Sequence, residues 1–134
     1  MNERNHRVEI LGQVFTRDDV VERMLALRRN HGRTLEPSAG DGAFASRIPG
    51  CVAIEIDPTV APAGAQVMDF FAYPVDEQFD TVIGNPPYVR HQDIQADTRA
   101  QLRSDLFDRR SNLYLFFIEK CVRHLKPGGE LIFI

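Results

Sequence analysis

The chain has 134 residues, 43% of them hydrophobic, 26% charged and 9% aromatic, the make-up of one globular domain with a core large enough to need neither disulfides nor metals. The polar opening MNERNHR lacks the apolar stretch of a signal peptide, no run approaches the ~20 residues of a membrane span, and Cys51 and Cys121 stand far apart without a CxxC or Cys/His cluster, which excludes membrane, secreted, zinc and redox classes and predicts a reducing, cytoplasmic setting. A net charge of −3 gives no basic face of the kind nucleic acids select.

Residues 1–13 read as a loosely held lead-in. Thr16 is placed to cap a helix, with Asp19 at the capping-box position, and Val20, Val21, Met24, Leu25 and Leu27 form its apolar stripe until Gly32 stops it. Four short apolar runs follow, Thr34 to Glu36, Val52 to Ile56, Ala65 to Met68 and Thr81 to Ile83, each ahead of turn residues. They read as buried parallel strands. Of the connections between them, Asp41 to Ile48 is predicted as a helix. Beyond Pro87 a polar segment, Val89 to Asn112, carries a predicted helix from Thr98 to Phe107 and is long enough for a loop to be marked for function. Leu113 to Leu125, apolar nearly all round in its first two turns, reads as a buried helix capped by Ser111 or Asn112 and ended by Lys126-Pro127-Gly128-Gly129. Glu130 to Ile134 is the fifth strand.

This alternation predicts an α/β fold: a doubly wound parallel sheet with right-handed crossovers and a ligand at the carboxyl ends of its strands. With no element after the fifth strand to cover it, the chain is expected to be a piece of something longer.

The charge distribution qualifies the net value. Residues 34–88 carry −7, whereas residues 1–33 and 89–134 each carry +2, and 14 of the 16 basic residues are Arg. Arginine suits phosphate recognition through its planar fork, and a GC-rich genome gives the same bias; both readings stand.

Four features carry chemistry. Leu35-Glu36-Pro37-Ser38-Ala39-Gly40-Asp41-Gly42-Ala43-Phe44 is a glycine-containing turn after the first strand, whose backbone amides can approach a ligand. It is not a GxGxxG fingerprint, because Ala45 stands where the third glycine belongs, and so it suits a nucleoside without phosphates. Glu55, about 20 residues on at the end of the second strand, can accept from both hydroxyls of a ribose or simply face water. Asp69 and Phe70 end the third strand, one able to accept from an exocyclic amine and the other to lie on a purine face; Asp69 could equally cap a turn. Gly84-Asn85-Pro86-Pro87-Tyr88 follows the fourth strand. Its prolines fix φ and remove two donors, so carbonyls and the Asn85 side chain form a rigid row of acceptors beside an aromatic ring, which suits a planar group bearing an NH2.

Together these motifs resemble the N6-adenine DNA methyltransferases of restriction-modification type, over Gly12 to Ile134. Gly12-Gln13-Val14-Phe15-Thr16 is similar to their N-terminal cofactor motif, Glu36 to Phe44 to their glycine motif, Glu55 to their ribose-binding acid, Asp69-Phe70 to their adenine-holding pair and Asn85-Pro86-Pro87-Tyr88 to their catalytic tetrapeptide. The resemblance implies a Rossmann-like fold, truncated after the fifth strand, and S-adenosylmethionine as cofactor, bound by Thr16, Glu36, Pro37, Gly40, Gly42, Glu55, Ile56, Asp69, Phe70 and Asn85. It implies catalysis by Asn85, Pro86 and Tyr88 on a flipped-out adenine, with no metal. Residues 1–134 would be the N-terminal part of the catalytic domain. DNA would be met through a recognition domain missing here, and by phosphate contacts of Arg90 to Arg110 unless that stretch is only a solvated face. Tyr88-Val89-Arg90 and Ser111-Asn112-Leu113-Tyr114 resemble enzymes fused to, or partnered with, an endonuclease.

The tetrapeptide also occurs in methyltransferases of RNA adenines and of release-factor glutamine, so it identifies the shape of the nucleophile rather than the polymer. RNA is the second expectation. A non-catalytic cofactor-binding fragment that needs a partner chain is a third. A nicotinamide oxidoreductase fits least, given the absent third glycine. Whether this length is active by itself stays open.

Overall fold

The apolar runs form five parallel strands in the computed structural model, which describes residues 15–108 and 110–134. The lead-in and Gly12-Gln13-Val14 lie outside the described residues. The strands are β1 (Thr34–Glu36), β2 (Val52–Glu55), β3 (Gln66–Val67), β4 (Phe79–Gly84) and β5 (Leu125–Phe133), in the order β3-β2-β1-β4-β5. Every pairing is parallel, with Leu35 at the centre opposite both Val52 and Val82. The described α-helices are α1 (Asp18–Ala26), α2 (Ala96–Gln101) and α3 (Leu113–Arg123), and 3-10 turns lie at Ala45–Arg47, Phe70–Ala72 and His91–Asp93.

Because side chains alternate along a strand, the sheet has two apolar faces, and both are covered. Leu35, Ile54 and Val82 pack with Phe70, Tyr73 and Phe79 and with Phe117 and Cys121 of α3. On the other face Ile83 and Ile132 pack with Val21 and Met24 of α1 and with Phe44 and Ile48. The predicted doubly wound, all-parallel α/β sheet is therefore present.

Several element boundaries differ from expectation. Thr16 does not cap α1. The helix starts after Arg17, which makes no side-chain cap, and Asp19 is held by Arg17 at 2.7 Å instead of turning back to the backbone. The helix ends at Ala26, well before Gly32, and Leu27 is 64% exposed and outside the apolar stripe. Between Asp41 and Ile48 no α-helix forms. Gly40 and Gly42 take φ of +55° and +83°, and Pro49 follows Ile48. The few residues left close as a single 3-10 turn, the usual form of so short a run. The helix expected over Thr98 to Phe107 is displaced to Ala96–Gln101, since Ser104 Oγ accepts from the amides of Leu106 and Phe107 at 3.0 and 2.8 Å and fixes a turn there. α3 stops at Arg123, with Asn112 at its N-cap position making no side-chain bond. Lys126-Pro127-Gly128-Gly129 does not separate helix from strand. It is a bulge within β5, pushed out between the pairs Phe79–Leu125 and Thr81–Glu130.

Candidate active site

The strand order reverses at β1, whose chain continues to β2 on one side while β4 lies on the other, and a cleft opens beyond the carboxyl ends at this switch point. It encloses about 790 Å³ with its solvent-open mouth included. Pro37 and Ser38 follow β1, Glu55 and Ile56 close β2, Met68 and Asp69 follow β3, and Asn85 and Pro87 follow β4; all line it.

The turn after β1 is built around two carboxylates with different tasks. Glu36 is 1% exposed and its carboxylate accepts from the amides of Phe44 and Ala45 at 3.2 and 3.1 Å. It holds the turn from behind and does not line the cleft. Burial pushes its carboxyl up to about 8, against the opposing pull of those two amides. Glu55 Oε1 accepts from Gly40 N at 2.8 Å and Oε2 from Asp57 N at 2.7 Å, so this carboxylate ties the glycine turn to β2 and still borders the cleft. Gly42 also lies outside the lining; a Cβ there would come within 3.0 Å of Pro62, besides needing its positive φ.

Asp69 and Phe70 stand side by side at the cleft. Asp69 Oδ1 accepts from Phe71 N at 3.0 Å, capping the 3-10 turn, and Oδ2 accepts from Thr98 Oγ1 at 2.6 Å and Gln101 Nε2 at 3.4 Å. Phe70 is 3% exposed, 4.8 Å from the Phe117 ring between centroids. Behind it Lys120 Nζ lies 4.9 Å from the ring centroid and bonds Tyr73 O and His124 Nε2, and burial lowers this ammonium to about 8. The half-buried neighbour Phe71 also lines the cleft.

The tetrapeptide is braced by both earlier motifs. Ser38 Oγ donates to the Asn85 carbonyl at 3.0 Å, and Asn85 Nδ2 donates to Thr16 Oγ1 at 3.3 Å. Thr16 thus serves the turn and not α1. Pro86 is buried outside the lining. Tyr88 is 52% exposed, stacked on Tyr114 at 5.2 Å and 15°, with its hydroxyl donating to Ile134 O at 3.0 Å. It too is not part of the cleft lining.

Of the predicted positions, Pro37, Gly40, Glu55, Ile56, Asp69, Phe70 and Asn85 meet in the cleft, and Thr16, Glu36, Gly42, Pro86 and Tyr88 stand around it. Sequence reasoning passed over Phe15, although it lies in the quoted Gly12 to Thr16 stretch, and Phe117 of α3. It also missed Val89, Ile94, Gln95 and Thr98, which form one wall. The unusual length of the 89–112 segment was their only signal.

The lining suits a nucleoside. Two carboxylates can accept from hydroxyls and amines, and Ile56, Met68, Phe70 and Phe71 offer apolar surface to a flat ring. Among the described residues there is no cluster of His, Cys, Asp or Glu able to hold a metal, and no helix is long and apolar enough to cross a membrane.

Comparison with known proteins agrees in kind. The sequence profile of the Eco57I restriction-modification methylase family matches residues 56–134. The Type II methyltransferase M.HincII of Haemophilus influenzae is 31% identical over 137 residues, covering 92% of this chain and 27% of its own length. M.TthHB8I of Thermus thermophilus is 33% identical over 146 residues, covering 92% and 34%, and M.XhoI of Xanthomonas vasicola is 46% identical over 69 residues, covering 49% and 12%. The chain spans about a quarter to a third of the first and second of these relatives.

Proposed function

The chain belongs to the Eco57I restriction-modification methylase family, and from that premise we propose that it carries the cofactor and catalytic residues for methyl transfer from S-adenosylmethionine to the N6 amino group of adenine in DNA. What carries the reading is the meeting in one cleft of the Glu55 and Asp69 carboxylates with Asn85 of the proline turn.

S-adenosylmethionine, when bound, supplies a methyl group on a positively charged sulfur. Glu55 would accept from its ribose hydroxyls and Asp69 from its adenine amine, with Phe70 and Ile56 against the ring. On the target side, Asn85 Oδ1 and the Pro86 carbonyl would accept the two N6 hydrogens of an adenine drawn out of the duplex. That directs the nitrogen lone pair into the cleft and meets the positive charge developing on this nitrogen. Nδ2 donates to Thr16 Oγ1 at 3.3 Å, which orients the amide with Oδ1 as its acceptor end. Tyr88 would offer a face to the extruded base, worth about 1–3 kcal/mol. Arg90, Arg99, Arg103 and Arg110, all exposed, would meet phosphates. A cytoplasmic location and an endonuclease partner belong to the same reading.

The test is transfer of labelled methyl from S-adenosylmethionine by the full gene product to unmethylated DNA and to total RNA, followed by nucleoside analysis. Label in N6-methyldeoxyadenosine supports the proposal. Label in cytosine or in ribonucleosides alone overturns it.

A further inference from the structure

Asp69 is held by a segment that no motif singles out. Thr98 is 7% exposed, and its hydroxyl donates to Asp69 Oδ2 at 2.6 Å, with Gln101 Nε2 adding a longer contact at 3.4 Å. Oδ1 takes the Phe71 amide at 3.0 Å. An ionised carboxylate has roughly four acceptor positions. Three are filled, and the open one is on Oδ1. Both oxygens are thus fixed from opposite sides, by the 3-10 turn that follows β3 and by α2.

α2 is itself docked. Val89, Ile94 and Leu113 form a small apolar cluster, Phe71 and Leu102 pack on it, and Leu113 N donates to Val89 O at 2.9 Å. Val89, Ile94, Gln95 and Thr98 thereby become a cleft wall. The segment that leads away from Tyr88 therefore controls the geometry of an acid that lies about 30 residues earlier in the chain and borders the same cleft.

We propose that Thr98 is a specificity-determining positioning residue: by clamping Asp69 Oδ2 it leaves a single, fixed acceptor on Oδ1, which selects a nucleoside ligand bearing a 6-amino donor over one bearing a 6-oxo acceptor. This rests on the assignment of the cleft to an adenosine ligand made above. An acceptor that the bound ligand covers discriminates by the cost of leaving it opposite a second acceptor. It does so only while its orientation is fixed, and a carboxylate freed from Thr98 can rotate toward water or toward Gln101. Thr98 does not touch the reacting atoms and acts only through Asp69.

The experiment is calorimetric titration of the full gene product with S-adenosylhomocysteine and S-inosylhomocysteine, in the wild type, Thr98→Val and Thr98→Ser. Valine keeps the shape and removes the hydroxyl; serine keeps the hydroxyl. Thr98→Val should weaken the adenosine ligand about tenfold, the scale of one lost charged hydrogen bond, and the inosine ligand less than about twofold. Thr98→Ser should restore the preference. A merely structural role would weaken both ligands alike, and that result overturns the inference, as does a failure of serine to rescue. Thr98→Ala carries the same expectation, so a valine variant that fails to fold leaves the test standing. A wild type that binds both ligands equally, or neither, overturns the adenosine assignment itself. A wild type that discriminates, beside a Thr98→Val that discriminates as well, overturns only the part given to Thr98.

Discussion

Replacing Glu55 by alanine tests the two tasks given to it, the tether to the glycine turn seen in the structure and the proposed acceptance from the ligand. The side chain is 4% exposed, and each oxygen takes one backbone amide, Gly40 N at 2.8 Å and Asp57 N at 2.7 Å. Of roughly four acceptor positions on the carboxylate, one then remains on each oxygen, enough for two neighbouring hydroxyls. A hydrogen bond to a charged group is worth about 1.5–3 kcal/mol. Loss of one such bond weakens S-adenosylhomocysteine binding roughly 10- to 150-fold, and loss of the tether to Gly40 adds to it. Calorimetry with the ligand and with its 2′-deoxy counterpart distinguishes the two contributions. In the wild type, removal of the 2′ hydroxyl should cost roughly tenfold or more, and the mutation should cost more, since it removes the acceptor for both hydroxyls and the tether to Gly40. In Glu55→Ala that removal should cost under about threefold, because the acceptor is already gone. Glu55→Gln should be no milder than alanine despite its shape, since its NH2 must oppose the Gly40 or the Asp57 amide at hydrogen-bonding distance. Equal losses on deoxygenation in wild type and Glu55→Ala would refute the assignment of Glu55 to the ribose.

Asn85→Ala should lower methyl transfer by roughly 10²–10³-fold or more while leaving S-adenosylhomocysteine affinity within a few-fold; equal loss of cofactor binding in calorimetry would move Asn85 out of the catalytic role. Glu36 binds its proton more tightly in the folded protein, at about 8 against an ordinary 4.5, so its contribution makes stability fall as pH rises between those values, by roughly 1.4 kcal/mol per unit. Denaturant titration across that window should show this slope in the wild type and not in Glu36→Gln, and identical slopes would count against the buried carboxyl.

The parts of the fold legible in the sequence are those set by short-range pattern. β1 is bounded by Gly32 and Pro37 and appears where expected, Thr34–Glu36. β5 shows the reverse case. Lys126 to Gly129 has every local mark of a stop, but its flanks, Leu125 and Glu130, both pair with β4, and the sheet absorbs the turn as a bulge. The Asp41 to Ile48 helix fails because Gly42 takes a φ of +83° at its start and Pro49 follows its end, and residue type alone does not fix that φ. In the site, Glu55, Asp69 and Asn85 were readable because the ends of parallel strands converge. Thr98 was not, because it arrives with the docking of Val89 and Ile94 on Leu113, a contact with no period in the sequence; nor was Phe117, because an apolar position of a buried helix looks the same in the sequence whether or not it borders the cleft beside Phe70. Tyr88 was readable as a residue but not in its posture, since its stacking partner Tyr114 comes from α3.

The bonds that Ser38 and Thr16 make to Asn85 bear on how such sites can be exchanged between proteins. The Asn-Pro-Pro-Tyr turn is not a cassette: its carbonyl is held by a serine 47 positions upstream and its side chain by a threonine 69 positions upstream. A graft of the four residues alone onto another parallel sheet would import the acceptors without what aims them. The transplantable unit is at least six residues drawn from three places in the chain, so an engineer moving this turn has to carry along positions that lie nowhere near it in the sequence.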